Sequence, residues 1–404
     1  MDVKERFLRY VTFHTTSDEE SGTVPSTPGQ LVLGKALAEE LAELGLSHVE
    51  QDENGYVYGV LPASPGCEAL PGLGFLAHMD TAPGVSGENV KPRCLRYEGG
   101  DIRLGNGEAL LLKDFPQLAN YVGQELIVTD GSTLLGADDK AGVAEIVSAC
   151  EFLLRHPEIS HRRLAVCFTP DEEVGHGAAL LDLQRLGADF AYTIDGGELN
   201  VINYETFNAA AAKWDIEGFN IHPGDAKGKM INACLVAMEI NAMLPSGEIP
   251  GKTEDHEGFF HLTDMSGSVE KASLSYIIRD HDAGCFEARK KTMGLIEKLI
   301  NEKYGEGTAR LSIREQYRNM AEPLSHRMEV VDIVKRAILR EGMEPATAPI
   351  RGGTDGAQLS FRGLLCPNIG TGGYCFHGPY EHITAEHLET AANIVLNIIG
   401  EIIK

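Results

Sequence analysis

Positive charge is scarce in this sequence. Among the 404 residues, Lys and Arg together number 35 and Asp and Glu number 60, which gives a net charge of −25 at pH 7. An acidic excess on this scale repels phosphate backbones, and no block rich in Lys or Arg interrupts it. The composition therefore excludes nucleic acid as a main partner.

Long apolar runs are missing as well. No stretch approaches the roughly 18 apolar residues of a membrane span, and Met1 is followed by Asp-Val-Lys-Glu-Arg, which is not a signal peptide. We therefore expect no membrane partner and predict a cytoplasmic protein. The eight cysteines agree with this prediction, because they form no Cys-x-x-Cys pair and most lie in apolar runs. Their pattern excludes a zinc ribbon and a disulfide framework.

Two motifs with known chemistry are absent too. Arg351-Gly-Gly-Thr-Asp-Gly356 is glycine-rich, but no Gly-Lys-Ser/Thr follows it and it lacks the dinucleotide-binding pattern, so we do not interpret it as a phosphate cradle. The segment His382-Ile-Thr-Ala-Glu-His387 fits neither helical spacing used by zinc proteases. We interpret it as a solvated helix start.

The patterns that are present predict an α/β protein. A chain of this length exceeds one simple core, and strands that alternate with helices favour a mostly parallel central sheet. The glycine-rich stretch 83–124 has no sustained period and is either a functional loop or a decorated hairpin. The predicted strands are 56–61, 73–80, 126–129, 164–168 and 190–197, and the predicted helices are 2–16, 30–45, 140–155, 177–186, 326–341 and 384–402.

From about residue 207 the pattern changes. Lys213–Ile221 alternates with period two, a helix pattern fills 228–243, and two alternating stretches, Gly267–Glu270 and Ser273–Arg279, precede a helix at 284–303 and a strand at 308–315. Strand-helix-strand-strand-helix-strand is the ferredoxin-like order. We predict that 208–320 is an inserted α+β lid domain and that 1–207 and 321–404 form the main domain.

Acids and histidines stand where the predicted strands end. The apolar run 164–168 stops shortly before three consecutive carboxylates, Asp171 to Glu173. Burying an ionised carboxylate is unfavourable by several kcal/mol unless a cation or donor compensates it. Because ligands of such sheets bind beyond the carboxyl ends of the strands, we expect a site there. Its candidates are His78, Asp80, Asp138, Glu172, Glu173 and Asp195.

These residue types suit a two-metal site. Zinc binds imidazole nitrogen and carboxylate oxygen, and two ions roughly 3.5–4 Å apart need a bridging group. With His377 from the C-terminal loop, the set supplies one His and one terminal carboxylate per metal and one shared Asp. Glu172 points away from Glu173 on an extended chain and is a candidate general base. Asp80 lies on the side of His78 and is a candidate acceptor of its second ring N–H.

Several segments carry a family resemblance. They are His78-Met-Asp80, Gly136-Ala-Asp-Asp-Lys-Ala-Gly142, Thr169-Pro-Asp-Glu-Glu-Val-Gly175, Tyr192-Thr-Ile-Asp-Gly-Gly197 and His377-Gly378. Together they resemble the co-catalytic zinc aminopeptidases of the M20 clan. Further segments, Val24-Pro-Ser-Thr27, Tyr276-Ile-Ile-Arg-Asp280 and the stretch 350–360, are similar to the tripeptide-cleaving subgroup. Each motif alone is weak, but the combination, which spans the chain, is highly specific.

The resemblance implies a ligand set for two Zn²⁺ ions. One zinc would bind His78 and Asp195, the other would bind Glu173 and His377, and Asp138 would bridge them. Asp80 and Glu172 would take the two catalytic roles described above.

The resemblance also implies substrate-binding residues. His222 and Arg279 of the inserted domain are similar to groups that close on the substrate, and Arg351 matches a main-domain residue that faces the same cleft. We expect His222 to stabilise the oxyanion and an arginine to hold the terminal carboxylate of a short peptide.

Three functions follow as hypotheses. The first is a zinc aminopeptidase that releases the N-terminal residue of short peptides, most of all tripeptides. The second keeps the chemistry but acts on N-acyl amino acids or as a carboxypeptidase of the same clan, and Asp195 counts against it because such members often carry Glu there. The third is a binding protein without turnover, which has no need of a general base such as Glu172.

Overall fold

The computed structural model describes residues 1–105 and 107–401. They divide into two compact units. The first comprises Met1–Tyr204, Glu322–Ala348 and the described residues from Thr354 onward, and the second comprises Glu205–Ala321 and Pro349–Gly353. We assigned the segment Pro349–Gly353 to the main domain, and this assignment differs from the structure.

Arg351 explains why that short segment belongs to the second unit. Its guanidinium donates to the backbone oxygens of Asp255 at 2.8 Å and Glu257 at 3.0 Å and lies over the Phe207 ring. These three residues all belong to the second unit. Hydrogen bonds from a charged donor are stronger than neutral ones, so Arg351 holds its segment there.

The strands of the described residues are numbered in chain order. They are β1 (Ser47–Gln51), β2 (Val57–Leu61), β3 (Leu73–His78), β4 (Arg93–Arg96), β5 (Ile102–Arg103), β6 (Ala109–Leu110), β7 (Glu125–Val128), β8 (Leu164–Thr169), β9 (Phe190–Gly196), β10 (Val201–Asn203), β11 (Asn208–Glu217), β12 (Phe259–Gly267), β13 (Lys271–Asp280), β14 (Ala309–Tyr317), β15 (Ala346–Thr347), β16 (Asn368–Gly370) and β17 (Ile383–Thr384).

The α-helices of the same residues are numbered likewise. They are α1 (Val3–Tyr10), α2 (Pro28–Leu44), α3 (Ala137–Arg155), α4 (Leu183–Leu186), α5 (Ala233–Met243), α6 (Ala283–Tyr304), α7 (Ala321–Leu324), α8 (Glu329–Arg340), α9 (Asp355–Phe361) and α10 (Ala385–Gly400).

A mixed sheet forms the centre of the first unit. Within the described residues its eight strands follow the order β1-β2-β8-β3-β9-β16-β10-β15. The pairings β8–β3, β3–β9, β9–β16 and β10–β15 are parallel, and the other three are antiparallel. The predicted α/β fold with a mostly parallel sheet is therefore confirmed.

The packing of this sheet explains the apolar runs in the sequence. Every residue of β2, β3 and β8 is buried, as expected for strands covered on both faces. Helix α3 packs on β3 and β9, and α1 and α10 pack on α3. In register, His78 at the end of β3 lies beside Thr169 at the end of β8. The carboxyl ends of the central parallel strands thus meet at one edge.

The stretch 83–124 contributes to two small sheets rather than to one long loop. β4 joins β7 and β17 in a three-stranded sheet, and β5 pairs with β6 as a hairpin. Tyr97, Leu110 and Tyr121 form a buried cluster with Leu126, and Tyr374 from the C-terminal part packs against it. Of the two alternatives, the decorated hairpin is the better description.

The second unit is an antiparallel sheet with two long helices. Its strand order is β12-β13-β11-β14, and the chain order strand-helix-strand-strand-helix-strand is the ferredoxin-like one. Along β13, Ala272, Leu274, Tyr276 and Ile278 are buried while the residues between them are not. This period of two gives one face to the core, where Trp214 is fully buried.

Two predicted elements are wrong. Only Leu183–Leu186 of the predicted helix 177–186 is helical, because tertiary partners satisfy the backbone before it. Arg362 donates to the carbonyls of Ala178 and Leu181, and the N–H of Leu180 donates to the Tyr56 hydroxyl. The predicted strand Gly267–Glu270 is the hairpin turn between β12 and β13, closed by the bond from the Ser268 N–H to the Lys271 oxygen.

No helix among the described residues is long and apolar enough to cross a membrane.

Candidate metal centre

Two predicted ligands lie at the ends of adjacent strands. His78 is the last residue of β3 and Asp195 is the penultimate residue of β9, and the two strands pair in parallel. The His78 ring is buried, and its Nε2 lies 3.3 Å from Oδ1 of Asp195. The sheet itself therefore brings this pair together.

Asp138 stands between the two predicted ligand histidines. One carboxylate oxygen, Oδ1, is 2.8 Å from Nε2 of His78, and the other, Oδ2, is 3.0 Å from Nε2 of His377. A carboxylate that offers one oxygen to each of two imidazoles has the arrangement of a bridging ligand. Asp138 lies at the start of α3, where the backbone is not yet helical.

Glu173 and His377 form the second pair. Their Oε1 and Nε2 atoms are 3.1 Å apart. The His377 side chain is 53% exposed, whereas the side chain of Glu173 is 7% exposed. His377 also has a φ of 62°, a left-handed backbone conformation that non-glycine residues seldom adopt. This exposed, conformationally restricted loop histidine is the solvent-facing part of the site.

The loop after β8 supplies acids with different partners. Asp171, with a φ of 56°, accepts hydrogen bonds from the Ser26 N–H at 2.7 Å and from Nε2 of Gln30 at 2.7 Å. These hydrogen bonds connect its turn to the start of α2, so Asp171 shapes the turn.

Glu172 and Glu173 face the ligand cluster instead. One ligand atom each of Glu172, His78 and Asp195 lies within 4.8 Å of the others. The same is true of His78, Asp138 and Glu173.

Asp80 contacts both the first histidine and the acidic loop. Nδ1 of His78 is hydrogen-bonded to the backbone oxygen of Asp80 at 3.0 Å and lies 3.4 Å from its Oδ1. The two carboxylate oxygens of Asp80 accept the N–H groups of Glu172 at 3.0 Å and Glu173 at 3.1 Å. The fully buried Asp80 thus fixes the backbone that carries both glutamates.

The acids and histidines shift one another's pKa. Hydrogen bonds to Asp138 and Glu173 raise the pKa of His377 to about 10. Burial lowers the pKa of His78, but Asp195, Asp138 and Asp80 together raise it well above its usual value. Burial raises the pKa of Asp195 to about 6. The neighbouring acids thus favour the protonated form of both histidines.

Burial and like charge also act on the remaining acids. Burial, with Asp195 as the next contribution, raises the pKa of Glu172 well above its usual value. For Asp138, burial acts in the same direction, but His377 and His78 hold its pKa below the ordinary value. Five carboxylates surround the two imidazoles, and a bound cation would compensate this acidic excess.

Two buried acids that contact the backbone of predicted ligands escaped prediction. Asp139 is buried, and its Oδ2 accepts the backbone N–H of His78 at 3.0 Å. Glu381 is buried too and accepts backbone N–H groups just before and at Asp138. A signal existed for each: Asp139 follows Asp138 directly, and Glu381 is a lone acid four residues after His377.

The three predicted substrate-binding residues all belong to the second unit. His222 is exposed, and its Nδ1 accepts the N–H of Gly224 at 3.2 Å. Nη1 of Arg279 donates to the backbone oxygen of Ile278 at 3.0 Å, and its guanidinium lies over the Tyr317 ring. The Arg351 guanidinium donates to the backbone oxygens of Asp255 and Glu257. Their function toward a substrate stays a prediction.

The five predicted ligands have the chemistry of a metal centre. Imidazole nitrogen and carboxylate oxygen are the donors that zinc and related divalent metals prefer. In this structure four of the five ligands are largely buried, the exposed loop residue His377 joins them, and the acids outnumber the histidines. Such a cluster is a candidate site for divalent metal ions, which activate water in metal-dependent hydrolases.

The comparison with known proteins gives the family. The model of peptidase family M20/M25/M40 matches residues 130–401. The match covers well over half of the chain, which therefore belongs to this family. The resemblance found in the sequence is confirmed.

Particular relatives are similar over nearly the whole length. Peptidase T of Clostridium perfringens (strain 13 / Type A) is 54% identical over 398 residues, which are 98% of each chain. The structure of aminopeptidase PepT from Bacillus cereus ATCC 10987 has a TM-score of 0.78 at 24% identity and covers 98% of this chain and 97% of that one. A tripeptidase from Staphylococcus aureus has the same TM-score at 22% identity, with the same coverage. The two structures show the shared fold.

Proposed function

We propose that this protein is a zinc-dependent cytoplasmic aminopeptidase that hydrolyses the N-terminal residue from short peptides, most of all tripeptides. One observation carries the proposal: Asp138 offers one oxygen to His78 and the other to His377, and each histidine has a further acid beside it. The relatives named Peptidase T, one of them 54% identical, support the substrate class.

The residues divide into two metal-binding groups. His78 and Asp195 would hold one zinc, Glu173 and His377 would hold the other, and Asp138 would bridge them. When bound, such ions polarise the scissile carbonyl and lower the pKa of an attacking water.

Glu172 is the proposed general base. It lies close to His78 and Asp195, and its backbone is fixed by Asp80. In this position it takes the proton from the attacking water and passes it to the leaving amine. The buried environment raises the pKa of its carboxyl, which makes the carboxylate a stronger acceptor for the proton of the water.

Asp80 positions two parts of this machinery. Its backbone oxygen and carboxylate lie at Nδ1 of His78, which directs Nε2 toward the ligand cluster. Its carboxylate holds the N–H groups of both loop glutamates. One side chain therefore sets a metal ligand and the general base together.

The second unit would recognise the far end of the peptide. We propose that Arg279 or Arg351 binds the terminal carboxylate and that His222 stabilises the developing oxyanion. Each guanidinium already donates to backbone carbonyls of its own unit, so its orientation is set before a substrate arrives. An arginine that binds this carboxylate would let the enzyme select peptides by length.

A peptide panel tests the proposal. Free di-, tri- and tetrapeptides of matched sequence are compared with an N-acetylated tripeptide and a tripeptide amide, with and without a chelator. We expect the free tripeptide to be the best substrate, the amide to be slower because its carboxylate is gone, and the chelator to stop turnover until zinc is restored.

Two outcomes contradict parts of the proposal. Faster release from the N-acetylated tripeptide would instead favour an N-acyl-amino-acid deacylase or a carboxypeptidase of the same family. Equal rates on all three peptide lengths would remove the length selection. For substitutions of Glu by Gln in the metal centre, Glu43→Gln at an exposed position of α2 is the matched control.

A further inference from the structure

The loop that carries His377 is closed at its base. Tyr374 and His382 exchange two backbone hydrogen bonds, of 2.9 and 3.0 Å, so the seven residues between them form a hairpin-like loop. His377 lies inside this loop, and Glu381 precedes the closing residue. The His377 side chain is half exposed, whereas Glu381 is 1% exposed. The loop therefore has a solvent-facing ligand and a buried acid at its base.

The buried acid binds the segment that carries the bridging ligand. Oε2 of Glu381 accepts the N–H groups of Leu135 at 2.7 Å and Gly136 at 2.9 Å. Its Oε1 accepts the N–H of Asp138 at 3.0 Å. The donors and the acceptor are separated by more than 240 residues in the chain. A single side chain thus connects two remote loops.

Only a carboxylate satisfies these three donors. An ionised glutamate offers two acceptor oxygens and no donor, whereas a glutamine would direct an NH₂ group at one of the N–H groups. Leaving a buried N–H without an acceptor is unfavourable. Among the described residues, no other acceptor is found for the N–H groups of Leu135, Gly136 and Asp138.

The two loops meet again at the ligands themselves. His377 and Asp138 approach to 3.0 Å between Nε2 and Oδ2. Glu381 belongs to the first loop, four residues after His377. Its side chain is hydrogen-bonded to the backbone of the other loop at Asp138 itself. The separation of these two ligands therefore depends on the Glu381 contacts.

We propose that Glu381 is a positioning residue for the metal centre: by holding the Leu135–Asp138 segment against the base of the His377 loop, it fixes the bridging ligand relative to the exposed histidine. This inference rests on the proposed function, since it requires that these residues bind metal. Its consequence is specific. Loss of Glu381 weakens metal binding without touching a metal ligand.

Metal affinity of the folded protein tests this proposal directly. Chelator-treated wild-type protein and the Glu381→Gln variant are titrated with Zn²⁺ in competition with a chromophoric chelator. Removing a group that orients a metal ligand typically weakens metal binding about 10- to 100-fold, and we expect a loss in this range. Circular dichroism before metal addition shows whether each protein is folded.

Glu40→Gln is the matched control. Glu40 is also a buried carboxylate of the first unit with three donors, from Arg6, Arg9 and Tyr10, but these lie on α1. We expect it to lower stability and leave zinc affinity unchanged. If both variants lose affinity equally, or if Glu381→Gln binds zinc as tightly as the wild type, the positioning role is wrong.

A second variant keeps the proposal testable if Glu381→Gln does not fold. Glu381→Asp keeps the charge but shortens the side chain by one methylene, so it retains some of the three bonds. We expect an affinity between those of the wild type and Glu381→Gln, and an affinity equal to that of the wild type overturns the proposal. A wild-type protein that binds no zinc would overturn the proposed function instead, which separates the two failures.

Discussion

Two clusters of buried acids in the first unit are compensated in different ways. Around Glu40 and Glu151, the fully buried Arg6 donates to both carboxylates, at 2.7 and 2.6 Å, and to Oγ of Ser148 at 2.8 Å. Around Asp138, the partners of the acids are two imidazoles and backbone N–H groups, and within the described residues no arginine or lysine is hydrogen-bonded to the Asp138 carboxylate. The first cluster carries its own cation within the fold.

The difference separates structural from functional acids. A buried ion pair that is complete in the protein connects α1 to α2 and α3 and needs no cation from solution. A cluster of acids and histidines in which no arginine or lysine is hydrogen-bonded to the bridging carboxylate remains able to bind a cation. The lesson is that the identity of the partner, rather than burial, marks the site.

The largest effect is expected from Glu172→Gln. Removal of a general base lowers kcat by about 10²–10⁴-fold. The free energy of unfolding should not fall, because the change removes a buried carboxyl whose pKa is raised by burial. Steady-state kinetics and urea denaturation measure the two quantities. Full activity in this variant would contradict the role of Glu172, and zinc content serves as the control.

Arg6→Met should give the opposite result. Breaking a buried ion pair on one side lowers stability by about 3–5 kcal/mol, since Glu40 and Glu151 lose the buried cation that they share and keep only exposed cations such as Arg9 and Arg155. Activity per folded molecule and zinc content should stay near those of the wild type. A variant that remains as stable as the wild type, or that loses zinc while folded, would show that the two clusters are not independent.

The strand ends were predictable because acids after buried apolar runs have few structural explanations. Three carboxylates stand beyond the apolar run Leu164–Phe168, separated from it by two residues, and Asp80 stands two residues after His78. Both patterns point to an edge of the sheet from sequence alone. The structure brings these residues together. What the pattern could not give is which oxygen of Asp138 meets which histidine, since that depends on loops far apart in the chain.

Other features were not predictable because tertiary partners replaced local ones. Apolar residues in 177–186 favour a helix, but Arg362 and two tyrosine hydroxyls take over the backbone groups that a helix would pair. Strand β12 is mostly exposed beyond its first residues, so it lacks the alternation that revealed β13. The contacts of Glu381 with backbone N–H groups leave no trace in residue spacing.

Removal of the metal should lower the free energy of unfolding by a moderate amount that does not depend on the Arg6 cluster. A ligand that binds only the folded state stabilises it by about 2.7 kcal/mol at 100 times its Kd. We expect zinc to raise the urea midpoint of the wild type and of Arg6→Met by equal amounts, because Arg6 lies outside the metal centre. Urea denaturation with chelator and with excess zinc measures this. No shift in the wild type would contradict a metal centre that forms on folding.

The smallest effect is expected at Glu145, an acid on α3 that belongs to neither cluster. It is fully buried, and neither carboxylate oxygen has a hydrogen-bond partner among the described residues. Burial raises the pKa of Glu145 well above its usual 4.5. Above pH 4.5 the unfolded chain releases a proton that the folded protein keeps, so this group's contribution to stability falls as the pH rises.

Glu145→Met should therefore stabilise the protein, by about 1–3 kcal/mol at neutral pH, because it removes a buried polar group that has no partner. The gain should be smallest near pH 5 and increase toward pH 8, as the penalty in the wild type increases. Urea denaturation at several pH values measures it, with Glu43→Met at an exposed position of α2 as the control. A loss of stability, or a gain that is the same at every pH, would mean that Glu145 has a partner in solution and belongs with the compensated acids.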